Sequence, residues 1–302
     1  MKLGKLLLNV KKIGIILKSP KSNEKIRFLR FNYAWYSYYK KKYKKYLYEL
    51  PVYSDEHEYS KTVWWCWMQG EENAPDLYRA NLNSLRKNLS DRDIQVITKN
   101  NYYNYVTLPE YIIEKYDKGL ITHTHFSDIL RAQLLIEHGG TWIDASVLCT
   151  SYNKSFFDRD LFMFKNYMRN DNSMEISSWF ITAEKNNPIL RTTQDLIFKY
   201  WDTHDYLENY YLFHILFTIS CEKYSLNWKK VSTFSNIPPH ILQFELLDDY
   251  NEERYAEIVE MSSVHKLTMR ENVKISDSMI RKNKRMIDYI IIKYMAGEPD
   301  LK

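Results

Sequence analysis

Glycine is scarce in this chain, at 7 of 302 residues, and so is cysteine, at 3. Cys66, Cys149 and Cys221 are too few and too scattered for a disulfide framework or a zinc cluster, which fits a reducing compartment. No run of about 18 apolar residues occurs, so no segment is expected to span a bilayer. Lysines interrupt every apolar stretch of residues 1–20, which argues against a signal peptide and for a cytoplasmic protein. Acidic residues are nearly missing from one end. Residues 1–50 hold fourteen Lys/Arg against Glu24 and Glu49, an excess of twelve positive charges in a chain of net +5. Residues 51–302 therefore carry a net of seven negative charges, and the basic character belongs to the N-terminus alone.

What is abundant is aromatic: 26 Tyr, 13 Phe and 8 Trp. Flat rings stack on bases and sugars but serve equally as core material, so composition leaves both roles open. With 45% hydrophobic and 27% charged residues the chain has a globular composition, long enough for one large domain or two small ones.

Three stretches divide the sequence. In residues 1–50, Leu3, Leu6, Leu7, Val10, Ile13 and Leu17 share one helical face, while Lys2, Lys5, Lys11, Lys12 and Lys18 lie opposite. Residues 26–50 continue with Tyr and Trp among lysines, FNYAWYSYYKKKYKKYLYEL. A basic amphipathic, aromatic segment suits an anionic membrane surface. Packing against the main domain and binding of single-stranded nucleic acid are the competing readings. The apolar stripe favours the first two, and no nucleic acid is expected.

Residues 51–270 alternate strand and helix patterns. Thr62–Met68 reads as a buried strand and Ile94–Thr98 as another. Pro75 opens a helix carrying Leu77, Ala80, Leu85 and Leu89. Pro109–Tyr116 and Phe126–His138 read as helices, the second stopped by Gly139 and Gly140. Thr141–Leu148 is β-rich, Trp179–Thr182 is a further strand, and Pro188–His204 and Tyr210–Lys223 are helical. The order predicts an α/β fold, an open mixed sheet with flanking helices. Residues 271–302, with Ile280, Met286, Ile287, Ile290 and Ile291, read as a basic helical tail.

The densest chemical signal is Ser127–Ser146, SDILRAQLLIEHGGTWIDAS. Asp128 and Arg131, three apart after a cap at Ser127, share a helix face. Trp142 and Asp144, two apart, point to one side of a strand whose end is where open α/β sheets bind ligands. A carboxylate there suits a divalent cation on a diphosphate, Arg131 offers paired donors to phosphate or sugar hydroxyls, and Asp128 accepts from hydroxyls. Singly, each residue has a structural explanation, such as an intrahelical ion pair. Their convergence in one short window favours a site.

Asp128, Arg131, Gly139, Gly140, Trp142 and Asp144 together resemble the S-D-[IL]-x-R…G-G-x-[YW]-x-D-x-D block of glycosyltransferase family 32. The likeness is strongest to the bacterial capsular polysaccharide synthesis proteins and covers about Thr62 to Arg270. It implies a GT-A-like fold and a retaining transferase using a UDP-sugar, with a hexose or N-acetylhexosamine passed to a lipid-linked or growing glycan. By the same resemblance Asp144 contacts ribose and metal-bound diphosphate, Asp128 and Arg131 hold the donor sugar, and Trp142 lies beside the nucleotide. Trp67, in Trp67-Met68-Gln69-Gly70, resembles a turn whose indole stacks on uracil. His265 and Lys266 resemble a late histidine of the metal site and a lysine beside the diphosphate. The chain departs from the pattern where the second Asp of the DXD motif is Ser146, a neutral and weaker ligand. Mn²⁺ or Mg²⁺ held by Asp144, Ser146 and His265 is the expectation this leaves in question. A nucleotide- or glycan-binding protein without catalysis is the alternative. His123, His125, His138 and His214 show no ligand spacing. If residues 1–50 meet a membrane, the enzyme is peripheral on its inner face.

Overall fold

The computed structural model describes residues 24–54, 57–167, 173–268 and 285–295. The expectation for residues 2–18 falls outside them, as do 271–284 and 296–302. Eight strands are described: β1 Thr62–Cys66, β2 Asp93–Ile97, β3 Gly140–Ile143, β4 Val147–Cys149, β5 Leu161–Lys165, β6 Ile176–Ala183, β7 Phe234–Ser235 and β8 Val264–Lys266. The helices are α1 Glu24–Lys42, α2 Lys44–Glu49, α3 Asp76–Asn88, α4 Glu110–Asp117, α5 His123–His138, α6 Pro188–Thr203, α7 Leu212–Lys223, α8 Ser225–Lys230, α9 Ile237–Phe244, α10 Glu252–Met261 and α11 Met286–Met295.

Six strands form one sheet in the order β2-β1-β3-β6-β5-β7. All run the same way except β6, which is antiparallel to both neighbours. The fold is therefore the expected α/β architecture, a mixed sheet flanked by helices. The two-residue alternation of a strand decides which helices each face meets. Trp64 and Trp142, partners across β1 and β3, pack with Phe126, Leu130 and Leu134 of α5 and with Leu196 and Tyr200 of α6. Val63, Trp65 and Ile143 turn the other way, onto Leu82 and Leu85 of α3. Burying one such large apolar side chain contributes about 1.5–3 kcal/mol.

Several boundaries differ from the sequence reading. α5 begins at His123, not Phe126, because the Thr122 hydroxyl accepts from the His125 amide at 3.3 Å and caps it. Ser127 is inside the helix, its hydroxyl on the Thr124 carbonyl at 2.7 Å, so it is no cap. The β-rich run Thr141–Leu148 is two strands, since Asp144–Ser146 forms a turn closed by Val147 N–H on the Asp144 carbonyl at 2.9 Å. β4 leaves the main sheet and pairs antiparallel with β8. β5 was not legible as a strand.

The aromatic stretch of residues 26–50 turns a face inward. Trp35, Tyr39 and Tyr43, four apart, are buried in the main core, and Tyr39 meets Tyr200 edge-on at 6.1 Å. Lys40 pairs with Glu222 at 2.5 Å. On the outer side Phe31, Tyr33 and Tyr48 are exposed. At the other end, Met286, Ile287, Ile290, Ile291 and Tyr294 of α11 are buried with Leu77 and Ala80 of α3, which makes this described part of the expected tail a core helix.

Candidate functional site

Asp144 follows the C-terminal end of β3, and its amide donates to Trp179 O on β6 at 2.9 Å. α3 steadies the turn beyond it, where Asn81 Nδ2 donates to the Ala145 carbonyl at 3.0 Å. Two glycines set the angle between α5 and β3. Gly139 and Gly140 both have positive φ, and a Cβ on Gly140 would lie 2.4 Å from the Thr62 carbonyl oxygen. Only glycine lets β3 close against β1 there.

The four residues of the short motif meet. Arg131 Nη1 donates to Asp128 Oδ1 at 2.7 Å and Nη2 to Asp144 Oδ1 at 2.9 Å. Its guanidinium lies over the Trp142 ring at 5.0 Å and the Phe213 ring at 5.6 Å. Trp142 Nε1 donates to Asp144 Oδ1 at 2.8 Å. From far along the chain, Lys266 Nζ donates to Asp144 Oδ2 at 2.7 Å and to Ser146 Oγ at 2.5 Å. Asp128 and Arg131 are nearly enclosed, while the Asp144 side chain keeps 23% of its surface exposed and Lys266 15%. The cluster is open to solvent on the Asp144–Ser146 side.

Burial alone would raise the Asp144 carboxyl. The charges of Lys266 and Arg131, with bonds from Lys266 and Trp142, outweigh it and hold the group at about 2. Burial opposes ionisation of Asp128 as well, and Arg131, His125 and His214 overcome it, so its pKa is lowered. Both acids are therefore carboxylates at neutral pH. Cys66, at the end of β1, is pushed up to about 12 chiefly by burial and is a thiol, no nucleophile.

His265 does not join them. In β8, His265 opposes Leu148 and Lys266 opposes Val147, and adjacent strand residues face opposite ways. Lys266 thus reaches Asp144, while His265 is fully buried on the other side with Nε2 3.3 Å from the Thr150 hydroxyl. Burial lowers it to about 4. Trp67 is half-buried just past β1, its ring 5.1 Å from Tyr78. Two residues near the cluster carry no spacing signal in the sequence. His125, a buried neighbour one turn before Asp128, has Nδ1 3.4 Å from Asp128 Oδ2. Tyr210 is exposed beside the cluster; partial enclosure raises its hydroxyl pKa, and the charges of Asp128 and Asp144 add to this.

The donor set does not fit a divalent cation. Of the three expected ligands, His265 faces away and Ser146 is neutral, leaving a single carboxylate. Both Asp144 and Ser146 already accept from one ammonium, and Mg²⁺ or Mn²⁺ would sit against Lys266 and Arg131. Another group, His57, Asp160 and Glu184, brings ligand atoms within 4.8 Å of one another and lines a cleft of 420 Å³. It lies at the opposite edge of the sheet, where Ala183 of β6 meets Gly140 at the start of β3.

Among solved structures, the chain is similar to the PaToxG glycosyltransferase at 16% identity, covering 86% of this chain and 95% of that one, with a TM-score of 0.39. It is also similar to the bacterial N-acetylglucosamine transferase NleB at 10% identity, covering 71% and 98%, with a TM-score of 0.34. Both likenesses are distant. No curated protein sequence matches. The sequence profile of one family runs from residue 15 to residue 294, through α5, β3, the Asp144 turn and Lys266 alike. The chain belongs to the capsular polysaccharide synthesis protein family.

Proposed function

We propose that the protein is a glycosyltransferase that moves a hexose or N-acetylhexosamine from a UDP-sugar to a growing or lipid-linked glycan. One observation carries the reading: Asp128, Arg131, Trp142, Asp144 and Lys266 form a single bonded cluster, partly open, at the carboxyl edge of the sheet. Membership of a capsule-synthesis family supports transfer of sugars.

Each residue has a task in that chemistry. The two cationic groups offset charge that develops on the leaving diphosphate, a stabilisation greatest in an enclosed site. Asp128 and Asp144 accept from sugar hydroxyls, and Arg131, braced by both, fixes their separation. Trp67, half-buried beside the sheet edge, offers an indole to the uracil, and Tyr210 and His214 flank the side from which an acceptor would come. The acceptor hydroxyl attacks C1 from the face that the diphosphate leaves, which retains the configuration. Among the described residues no carboxylate beyond Asp128 and Asp144 joins the bonded cluster as a candidate for a covalent intermediate.

The lipid-linked form of the acceptor rests on the basic N-terminus, whose outer face shows Phe31 and Tyr33 close in sequence to the exposed Arg30. Co-sedimentation of the full chain with anionic but not neutral vesicles is the expected result, and equal recovery with both would count against it. For the activity itself, the test is release of UDP and free sugar across a panel of UDP-sugars. One donor should turn over, and Asp144→Asn should lose at least about a hundredfold. Binding without turnover for every donor would favour a nucleotide-binding protein instead.

A further inference from the structure

We infer that the Lys266 ammonium takes the electrostatic place of a divalent cation in this site, so that the donor diphosphate is bound and released without metal. The inference rests on the nucleotide-sugar reading above and goes beyond it in naming the group that replaces the metal.

Position is the first support. Nζ of Lys266 lies 2.7 Å from Asp144 Oδ2 and 2.5 Å from Ser146 Oγ, between the two side chains that flank Ala145. Those are the two oxygens a cation at this turn would draw on. Charge is the second. A pair of carboxylates would balance a dication, whereas one carboxylate and one hydroxyl balance a single positive charge. Ser146 and Lys266 are therefore complementary: the neutral residue makes room for the ammonium, and the ammonium makes a second carboxylate unnecessary.

The lysine is also fixed in place. β4 and β8 pair Val147 with Lys266, and the Leu267 amide donates to the Ser146 carbonyl at 2.6 Å, tying the lysine's strand to the acidic turn. A cation placed in advance by a strand ladder loses little entropy when it meets a phosphate. Nζ carries three donors. Two are spent on Asp144 and Ser146, and the third meets the diphosphate from the exposed side of the turn. During transfer the bond between C1 and the β-phosphate oxygen breaks with its electron pair going to that oxygen, beside Lys266. The acceptor oxygen forms the new bond to C1, and its proton passes to the departing diphosphate. No oxidant, reductant or metal enters the balance.

The test uses the full-length protein and two probes, Mn²⁺ alone and UDP, by titration calorimetry, with UDP-sugar turnover measured in EDTA and in Mn²⁺. Any Mn²⁺ that wild type takes up should be unaffected by Asp144→Asn, and wild type should bind UDP equally in both buffers and turn over its donor at rates within about twofold. Lys266→Met should weaken UDP by about ten- to a hundredfold, the loss of one charged hydrogen bond. Lys266→Ala combined with Ser146→Asp should gain Mn²⁺ binding and Mn²⁺-dependent UDP affinity. If EDTA abolishes UDP binding by wild type and Mn²⁺ restores it, the inference is wrong while the transferase reading stands. If wild type binds no UDP in either buffer, the nucleotide reading fails and takes the inference with it.

Discussion

Arg131 spans two carboxylates, one nitrogen on Asp128 and another on Asp144, with aromatic rings near its guanidinium. Truncating it takes the guanidinium from the enclosed Asp128 carboxylate and leaves Lys266 as the remaining cation on Asp144. Arg131→Ala should therefore cost about 3–5 kcal/mol in chemical denaturation, well beyond a surface ion pair. Arg131→Lys should recover only part, since an ammonium cannot reproduce the planar fork. His265 supplies a pH test. Its folded pKa of about 4 lies below the ordinary 6.5, so the unfolded chain takes up the proton first as pH falls. Stability is then complete above pH 6.5 and declines toward pH 4, by about 3 kcal/mol at most. The decline should vanish in His265→Gln, as read from melting temperature against pH. Asp144 acts in the same direction lower down, between its ordinary 3.8 and about 2. At this scale the sequence exposes Asp128, Arg131, Trp142 and Asp144 because spacings of two and three residues fix which side chains share a face. It cannot separate His265 from Lys266. Neighbours in a strand point opposite ways, and only the register of β8 on β4, a pairing across more than a hundred residues, selects the lysine.

Among the elements, the junction of α5 with β3 matters most, because it sets Arg131 against Asp144. Gly140→Ala would place a Cβ 2.4 Å from the Thr62 carbonyl at a φ of +95°, forcing β3 off β1. A loss of about 3 kcal/mol is expected, together with loss of nucleotide binding. α1 is tied to the domain by its aromatic row. Tyr39 is fully buried, and Tyr39→Ala should cost about 3–4 kcal/mol by the cavity it leaves. A change below 1 kcal/mol would show that the helix is not part of the core. Helices such as α6 and α7 were legible from periodicity and punctuation. β5 was not, because five residues, LFMFK, make a short apolar run that reads as strand or buried helix alike. The break within Thr141–Leu148 was missed although Asp144 and Ser146 are turn-forming residue types, because the β-rich residues on either side read as one run, and it takes the bonds of Asn81 and Val147 to show the turn.

Across the whole molecule, charge is divided between a basic N-terminal stretch and an acidic remainder, and the described part of that stretch both packs and presents aromatic side chains outward. No helix among the described residues is long and apolar enough to cross a membrane. The α/β order of the chain was readable because strands and helices alternate, but the reversal of β6 was not, since strand direction depends on connections that periodicity does not encode. The convergence of Asp128, Arg131, Asp144 and Lys266 on one bound donor is the claim on which the rest depends. A crystal structure of the protein with a non-hydrolysable UDP-sugar tests it most directly. The account predicts the diphosphate within hydrogen-bond distance of Lys266 Nζ and the sugar hydroxyls on Asp128, Arg131 and Asp144. A nucleotide seated instead in the cleft of His57, Asp160 and Glu184, with the Asp144 turn untouched, would contradict it.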